Sequence, residues 1–308
     1  MKNEHVSVLL EETMAGLAIK PDGIYIDATF GRGGHSAAIL NALGATGKLL
    51  AIDKDPEAIA FARQNFEDAR FKITQAPFAK LGEIAQQNAV SGKVDGVLLD
   101  LGVSSPQLDD PERGFSFLRE GPLDMRMDPH SGISAAEWLA TAKEADIVKV
   151  LFEYGEEKFA RRIARAIVNE RVDNPINTTT QLASIASAAN PAWERNKHPA
   201  TRTFQAVRIF VNKELNELEN CLEQVLEVLA IGGRLVVISF HSLEDRIVKR
   251  FIRRHSHGEQ LLAKLPIMAA EERTRMRTIG RVITANENEI TNNPRSRSAK
   301  LRIAEKLL

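Results

Sequence analysis

Four short apolar runs in the first hundred residues, each followed by a helical pattern or a loop, constrain the fold of this chain more than anything else in it. Ile24 to Ala28, Lys48 to Ile52, Phe71 to Thr74 and Val94 to Leu99 read as strands, rich in β-branched residues and leucine. His35 to Leu43, Pro56 to Asn65 and Phe78 to Asn88 read as the helices between them. Strands alternating with helices pair in parallel through crossover connections, and a parallel sheet needs helices on both faces. The expected fold class is therefore α/β, a Rossmann-like doubly wound sheet.

After Asp100 the alternation stops for roughly a hundred residues. A Pro/Gly/Asp-rich loop, Asp109 to Gly114, leads into helical patterns such as Ser134 to Ala142 and Glu156 to Glu170, with no convincing alternating strand among them. This stretch reads as an all-helical insert for substrate recognition, with domain bounds at 1–108, 109–200 and 201–308. Asn212 to Leu229 then carries Leu215, Leu218, Leu222, Val225, Leu226 and Leu229 at helical spacing, and Gly232-Gly233 reads as its stop. Arg234 to Phe240 is a fifth strand, and Lys300 to Glu305 a last one.

Composition excludes several classes. No apolar run among the 308 residues approaches the ~20 needed to span a bilayer, so no membrane association is expected. Met1 to His5 lead into no secretory stretch, and the single cysteine, Cys221, forms no internal disulfide or cysteine-rich zinc site. A reducing, cytoplasmic location follows as the expectation. Net charge is zero, yet from His241 to Leu308 there are 15 Lys/Arg against 8 Asp/Glu, with clusters at Lys249-Arg250, Arg253-Arg254, Arg273-Arg275-Arg277 and Arg295-Arg297. Such a tail suits phosphates or merely a solvated face.

The chemistry concentrates at the strand ends. Asp27-Ala28-Thr29-Phe30-Gly31-Arg32-Gly33-Gly34-His35 sets three glycines in a strand-to-helix turn, where backbone can approach a ligand closely. That signal is shared by proteins that bind NAD, FAD or S-adenosylmethionine. Asp27 before the glycines suits the cationic amino-acid end of a cofactor and disfavours a pyrophosphate. Asp53 ends strand two about 20 residues later, the placement of a carboxylate that grips ribose hydroxyls. Phe78 follows strand three, where its ring can pack on an adenine, and Asp100 ends strand four ahead of the loop Leu101-Gly102-Val103-Ser104-Ser105-Pro106-Gln107.

Together with these, the blocks His5 to Leu10, Leu98 to Gln107, Arg113-Gly114-Phe115-Ser116-Phe117, Pro122 to Met127, His198 to Gln205 and Ser239 to Arg246 closely resemble the bacterial small-subunit rRNA cytosine-N4 methyltransferases, the methyltransferase H or MraW family. They span nearly the whole chain. The resemblance implies S-adenosylmethionine contacts at Gly33, Gly34, His35, Asp53, Phe78, Asp100 and Gln107. It also implies methylation of a cytidine base nitrogen in the decoding region of 16S rRNA, whether bare or assembled in the small ribosomal subunit; the sequence offers no ligand cluster, so no metal is expected. Whether the enzyme is a monomer or a homodimer stays open.

An exocyclic cytosine amine is a poor nucleophile because its lone pair is delocalised, so acceptors must hold its hydrogens while the nitrogen is aligned with the methyl group. Asp100 and a Ser104 or Ser105 group or carbonyl are the candidates for that role. Methylation at carbon five would need an activated cysteine, and Cys221 lies on a leucine-rich helix with the character of core packing. Trp138, Trp193 and Tyr154 are candidates for an aromatic slot that holds a base, with Arg202 and His241 as further substrate contacts. His241, Ser242, Glu244 and Asp245 lie together in sequence, but no nucleophile-elbow motif supports a hydrolase. An NAD-dependent oxidoreductase and a non-catalytic RNA-binding protein are the competing readings.

Overall fold

The protein was analysed as a computed structural model that describes residues 7–192, 198–257 and 274–308. Trp193, Arg273 and the first two residues of the His5 to Leu10 block lie outside the described residues. In chain order the elements are α1 (Leu10–Leu17), β1 (Ile24–Asp27), α2 (Gly34–Ala42), β2 (Lys48–Asp53), α3 (Pro56–Asn65), β3 (Phe71–Gln75), α4 (Leu81–Gln87) and β4 (Val94–Asp100). Then follow α5 (Ser105–Asp109), α6 (Ala135–Thr141), α7 (Glu144–Gly155), α8 (Ala160–Asp173), α9 (Thr179–Ala189) and α10 (Thr201–Asn212). The chain closes with α11 (Glu214–Val228), β5 (Leu229–Ser239), α12 (Ser242–His257), β6 (Met276–Thr284), α13 (Glu287–Asn292) and β7 (Lys300–Lys306).

It divides into two compact units, residues 1–102 with 215–308, and residues 103–214. The first is a Rossmann-like sheet, in the order β3-β2-β1-β4-β5-β7-β6. β1 to β5 pair in parallel, whereas β7 runs antiparallel to both β5 and β6. Each face of the sheet buries its own apolar layer. Ile26, Val97, Leu99, Leu235 and Val237 meet α4, α11 and α12 on one side, while Leu49, Leu98, Val236 and Ile238 meet α1 and α2 on the other. Strands apolar on both faces are what a sheet covered by helices requires.

Local chemistry sets the helix starts. Asp55 accepts from Glu57 N at 2.9 Å ahead of Pro56, whose fixed φ suits a first helical position. The expected helix from Phe78 to Asn88 divides into a 3-10 turn, Phe78–Lys80, and α4. Gly232-Gly233 does not mark a loop: β5 begins at Leu229, and Gly232 takes φ +77 within the strand. β6 was not expected from the sequence. It is an edge strand in which Arg277, Gly280 and Arg281 interrupt the apolar residues, and its register with β7 shifts between Ile279 and Ile283.

The second unit is helical, around Leu139, Ile147, Leu151, Ile163, Ile167 and Leu182. Capping boxes start α6 at Ser134 with Glu137 and α9 at Thr178 with Gln181. The helix expected from Glu156 begins later, at Ala160, because α7 runs to Gly155 and closes on Glu156 in the left-handed conformation, φ +49. The unit also extends past the boundary expected after Ala200. α10 buries Phe204, Ala206 and Val207 in the helical core, Asn212 bonds Met127 N and Met125 O, and the turn at Lys213, φ +54, ends the helix. At the other end the unit begins at Val103, six residues before the expected start at Asp109.

Leu98 is fully enclosed in the central strand β4. Its replacement by alanine is expected to cost roughly 2–5 kcal/mol of stability. The check is a lower denaturant midpoint at an unchanged m-value.

Candidate functional site

The carboxyl ends of β1, β2 and β4 form one edge, where an open α/β sheet places its ligand. Three aspartates stand there. Asp27, at the end of β1, is 1 % exposed and accepts from Ser36 Oγ at 2.6 Å and from Thr29 N at 3.2 Å. It therefore braces the glycine turn from beneath instead of facing a cofactor's amino-acid end, as the sequence had led us to expect. The reason is geometric, since the loop folds back over it and Ser36, in the first turn of α2, reaches down to it. Thr29 carries the brace across the sheet: its Oγ1 accepts from Asp100 N at 2.6 Å. Neither Ser36 nor Thr29 stood out in the sequence, although both lie within or beside the glycine motif.

Asp53 ends β2 half-buried. Its Oδ2 accepts from Gly31 N at 2.7 Å and its Oδ1 from Asp55 N at 2.9 Å. Each oxygen keeps a second lone pair, which suits ribose hydroxyls. Gly33 is the N-cap of α2 at φ +74, and a Cβ there would fall 2.6 Å from Phe30 Cζ, so no other residue fits. A Cβ on Gly34 would strike the Ser7 hydroxyl. His35 follows, buried in the first turn. Its Nε2 lies 3.1 Å from Val8 O and so carries hydrogen, which in the neutral ring leaves Nδ1 as acceptor, 3.5 Å from Asp100 Oδ2. Phe78 is partly buried against the core below α4.

The electrostatics of the edge are distinctive. Burial pushes Asp27 up to about 6 against the lowering effect of its bonds from Ser36 and Thr29. Burial likewise pushes Asp53 up to about 6, with the charges of Asp55 and Asp27 adding to it and the backbone bonds from Asp55 and Gly31 opposing. Asp100 rises well above the usual carboxylate range, through burial first and then repulsion from Asp27 and Glu244. Its Oδ1 is enclosed without a donor. No Lys or Arg pairs with any of the three among the described residues. Such a site lacks positive charge and would repel a pyrophosphate, which tells against NAD.

These residues fit S-adenosylmethionine, which carries a sulfonium and an ammonium. Asp53 would hold its ribose, and the acidic edge would complement its positive charge.

Other expected residues lie elsewhere. Ser104 and Gln107 form the capping box of α5, with Ser104 N donating to Gln107 Oε1 at 2.9 Å, and Ser105 is buried in its first turn. Trp138 is 6 % exposed and packs on Phe210 with ring centroids 4.4 Å apart. It is a core residue with no open face, which corrects the expectation that it holds a base. Arg202 Nη1 donates to Glu156 O at 2.9 Å and Gly155 O at 3.3 Å, closing the end of α7. Tyr154 is half-buried at the helical core. His241 lies 3.1 Å from Glu244 Oε1, and that carboxylate also accepts from Phe240 N at 2.8 Å. Asp245 is engaged with Arg302, at 2.8 Å, so the loop holds no Ser-His-Asp relay.

The raised acids fix the sign of the pH response. A carboxylate that binds its proton more tightly folded than unfolded adds stability below about pH 4, and that contribution is lost as pH rises through about 6. Cation binding runs the other way, because the proton must leave first. Affinity for S-adenosylmethionine, measured calorimetrically, is expected to rise roughly tenfold from about pH 5 to 7.5, and Asp53→Asn to flatten the rise. An affinity independent of pH would remove Asp53 from the site.

A sequence profile of the MraW methylase family matches residues 2–307. Among solved structures, a putative rRNA methylase from Clostridium thermocellum is 11 % identical with TM-score 0.45, covering 99 % of this chain and 98 % of that one. An rRNA methylase from Streptococcus thermophilus is 11 % identical with TM-score 0.44, covering 99 % of each. A putative methyltransferase from Streptococcus mutans, in complex with SAH, is 12 % identical with TM-score 0.45, covering 98 % of this chain and all of that one. At this level of likeness the three add nothing to the sheet topology described above. The profile, which spans nearly every residue, does: the chain belongs to the MraW methylase family.

Proposed function

We propose that this enzyme transfers the methyl group of S-adenosylmethionine to the exocyclic N4 of a cytidine in the decoding region of 16S rRNA. Family membership supports methylation of ribosomal RNA; the choice of nitrogen rests on the site. The single observation that carries it is the Asp100 carboxylate at the reaction edge, whose Oδ1 is enclosed without a donor and whose Oδ2 lies 3.5 Å from His35 Nδ1. S-adenosylmethionine supplies an electrophilic methyl group. As the N4–methyl bond forms and the sulfur–methyl bond breaks, the amine becomes acidic and must lose a proton. Asp100 Oδ2 accepts it, and His35 Nδ1, 3.5 Å away, is placed to share it. Burial and the neighbouring Asp27 and Glu244 charges raise the proton affinity of Asp100, which favours that acceptance.

The same reading leaves Ser104 and Ser105 to shape the loop after β4, and assigns Gln107 to the cofactor as the family resemblance implies. Tyr154 and His241 are the remaining candidates for holding the base. The substrate is 16S rRNA, bare or within the small subunit.

Carbon-five methylation is disfavoured independently. Cys221 is fully enclosed in the core between α11 and the sheet, and burial raises its thiol, so the nucleophilic thiolate does not form. Cys221→Ala is expected to retain full methyl transfer, and a thiol reagent to label Cys221 only on unfolding. A loss of transfer in that variant, with the fold intact, would reverse the choice of nitrogen over carbon.

Nucleoside mass spectrometry of small-subunit rRNA, from cells with and without the gene, tests the product directly. The expected loss is one methyl on N4 of a cytidine. With purified enzyme, Asp100→Asn is expected to lower kcat by roughly 10²–10⁴-fold while S-adenosylhomocysteine binding falls far less. Normal turnover would take Asp100 out of the chemistry.

A further inference from the structure

The outer end of the sheet carries a second pocket that the methyl-transfer site does not use. It has a volume of about 190 Å³ and lies between α12, β6 and β7. Ile252, Ile279, Val282 and Ile303 give it an apolar lining, and Lys249, Arg253 and Arg281 stand at it, all exposed. Lys249 and Arg253 are one helical turn apart on α12, and Arg281 comes from β6.

The cations of this region fall into two groups. Arg254 pairs with Glu223, Arg275 with Glu227, Arg277 with Glu305 and Arg302 with Asp245. Lys249, Arg253 and Arg281 pair with no acid among the described residues. All three line the pocket, together with Arg302, whose guanidinium is held by Asp245. Exposed cations without acid partners around one apolar hollow favour an anion there.

Between Ile279 and Ile283 the register with β7 breaks, and Gly280 takes φ +66, so the stretch from Gly280 to Val282 leaves the ladder. The volume is several times the ~30 Å³ share of a water molecule, enough for a phosphate with its ester carbons.

We propose that this pocket docks a backbone phosphate of the RNA substrate, making the α12–β6 face an RNA-contacting surface distinct from the reaction edge. The inference rests on the rRNA reading above, and it commits to RNA because three separated cations track a polyanion better than a single small ion. Contacts of this kind position a strand without reading its sequence.

The test compares the wild type with the triple variant Lys249→Gln, Arg253→Gln, Arg281→Gln. A control of equal charge change, Arg63→Gln, Lys72→Gln, Lys93→Gln, alters exposed cations on α3, β3 and the start of β4. Binding to small-subunit rRNA transcribed in vitro is followed by fluorescence anisotropy from roughly 50 to 200 mM salt, with methyl transfer to the same RNA and calorimetric S-adenosylhomocysteine binding alongside. The pocket variant is expected to bind RNA at least about tenfold more weakly, with a salt slope shallower by about 2. Its KM for RNA rises, while kcat at saturation and cofactor binding hold.

The control keeps the wild-type slope. Equal slopes in wild type and pocket variant, with methyl transfer intact, overturn the docking surface and leave the rRNA reading standing. Loss of RNA affinity in the pocket variant, with no methyl transferred by the wild type, keeps the surface and overturns that reading. An equal loss in pocket variant and control overturns the pocket in favour of diffuse charge.

Discussion

Everything at the reaction edge depends on one unbalanced arrangement: three carboxylates at the ends of adjacent strands, with no Lys or Arg among the described residues to offset them. Enclosed negative charge is costly, and the protein meets the cost partly by holding protons and partly by directing backbone amides at the oxygens. What remains is a site that gains from receiving positive charge. The preference for a sulfonium over a dinucleotide is thus a property of the empty space itself.

Asp27 shows how the scaffold serves that edge. Buried beneath the glycine turn, it ties the first turn of α2 to β1, and Thr29 extends the tie to the start of Asp100. The segment with the most backbone freedom is thereby held by the element with the least. Gly33 then opens α2 beside the Phe30, Phe66 and Phe71 cluster, whose rings leave no room for a side chain.

Much of this was legible in the sequence, for physical reasons. Strands covered on both faces must be apolar throughout, so β1 to β4 announced themselves, and acids at strand ends marked the edge. Three-dimensional pairings were not legible. Asp27 looked like a ligand-facing acid because its partner Ser36 is recognisable only once α2 folds back. Trp138 looked available for substrate until the helical unit enclosed it. β6 escaped notice because an edge strand need not be apolar, and its arginines and Gly280 obscure the alternation. The boundary after Ala200 failed for a related reason: the amphipathic face of α10 says that it packs, without saying on which unit.

The same edge strand bears on how the molecule avoids its own kind. A terminal strand exposes unpaired amides and carbonyls that invite another chain to add on, and a flat, apolar one does so most readily. β6 is neither, since arginines at 275, 277 and 281 flank and stud it and the break at Gly280 bends it out of register. A nascent or crowded copy meets positive charge and a mismatched ladder there, so the open end of a seven-stranded sheet resists growing into an aggregate.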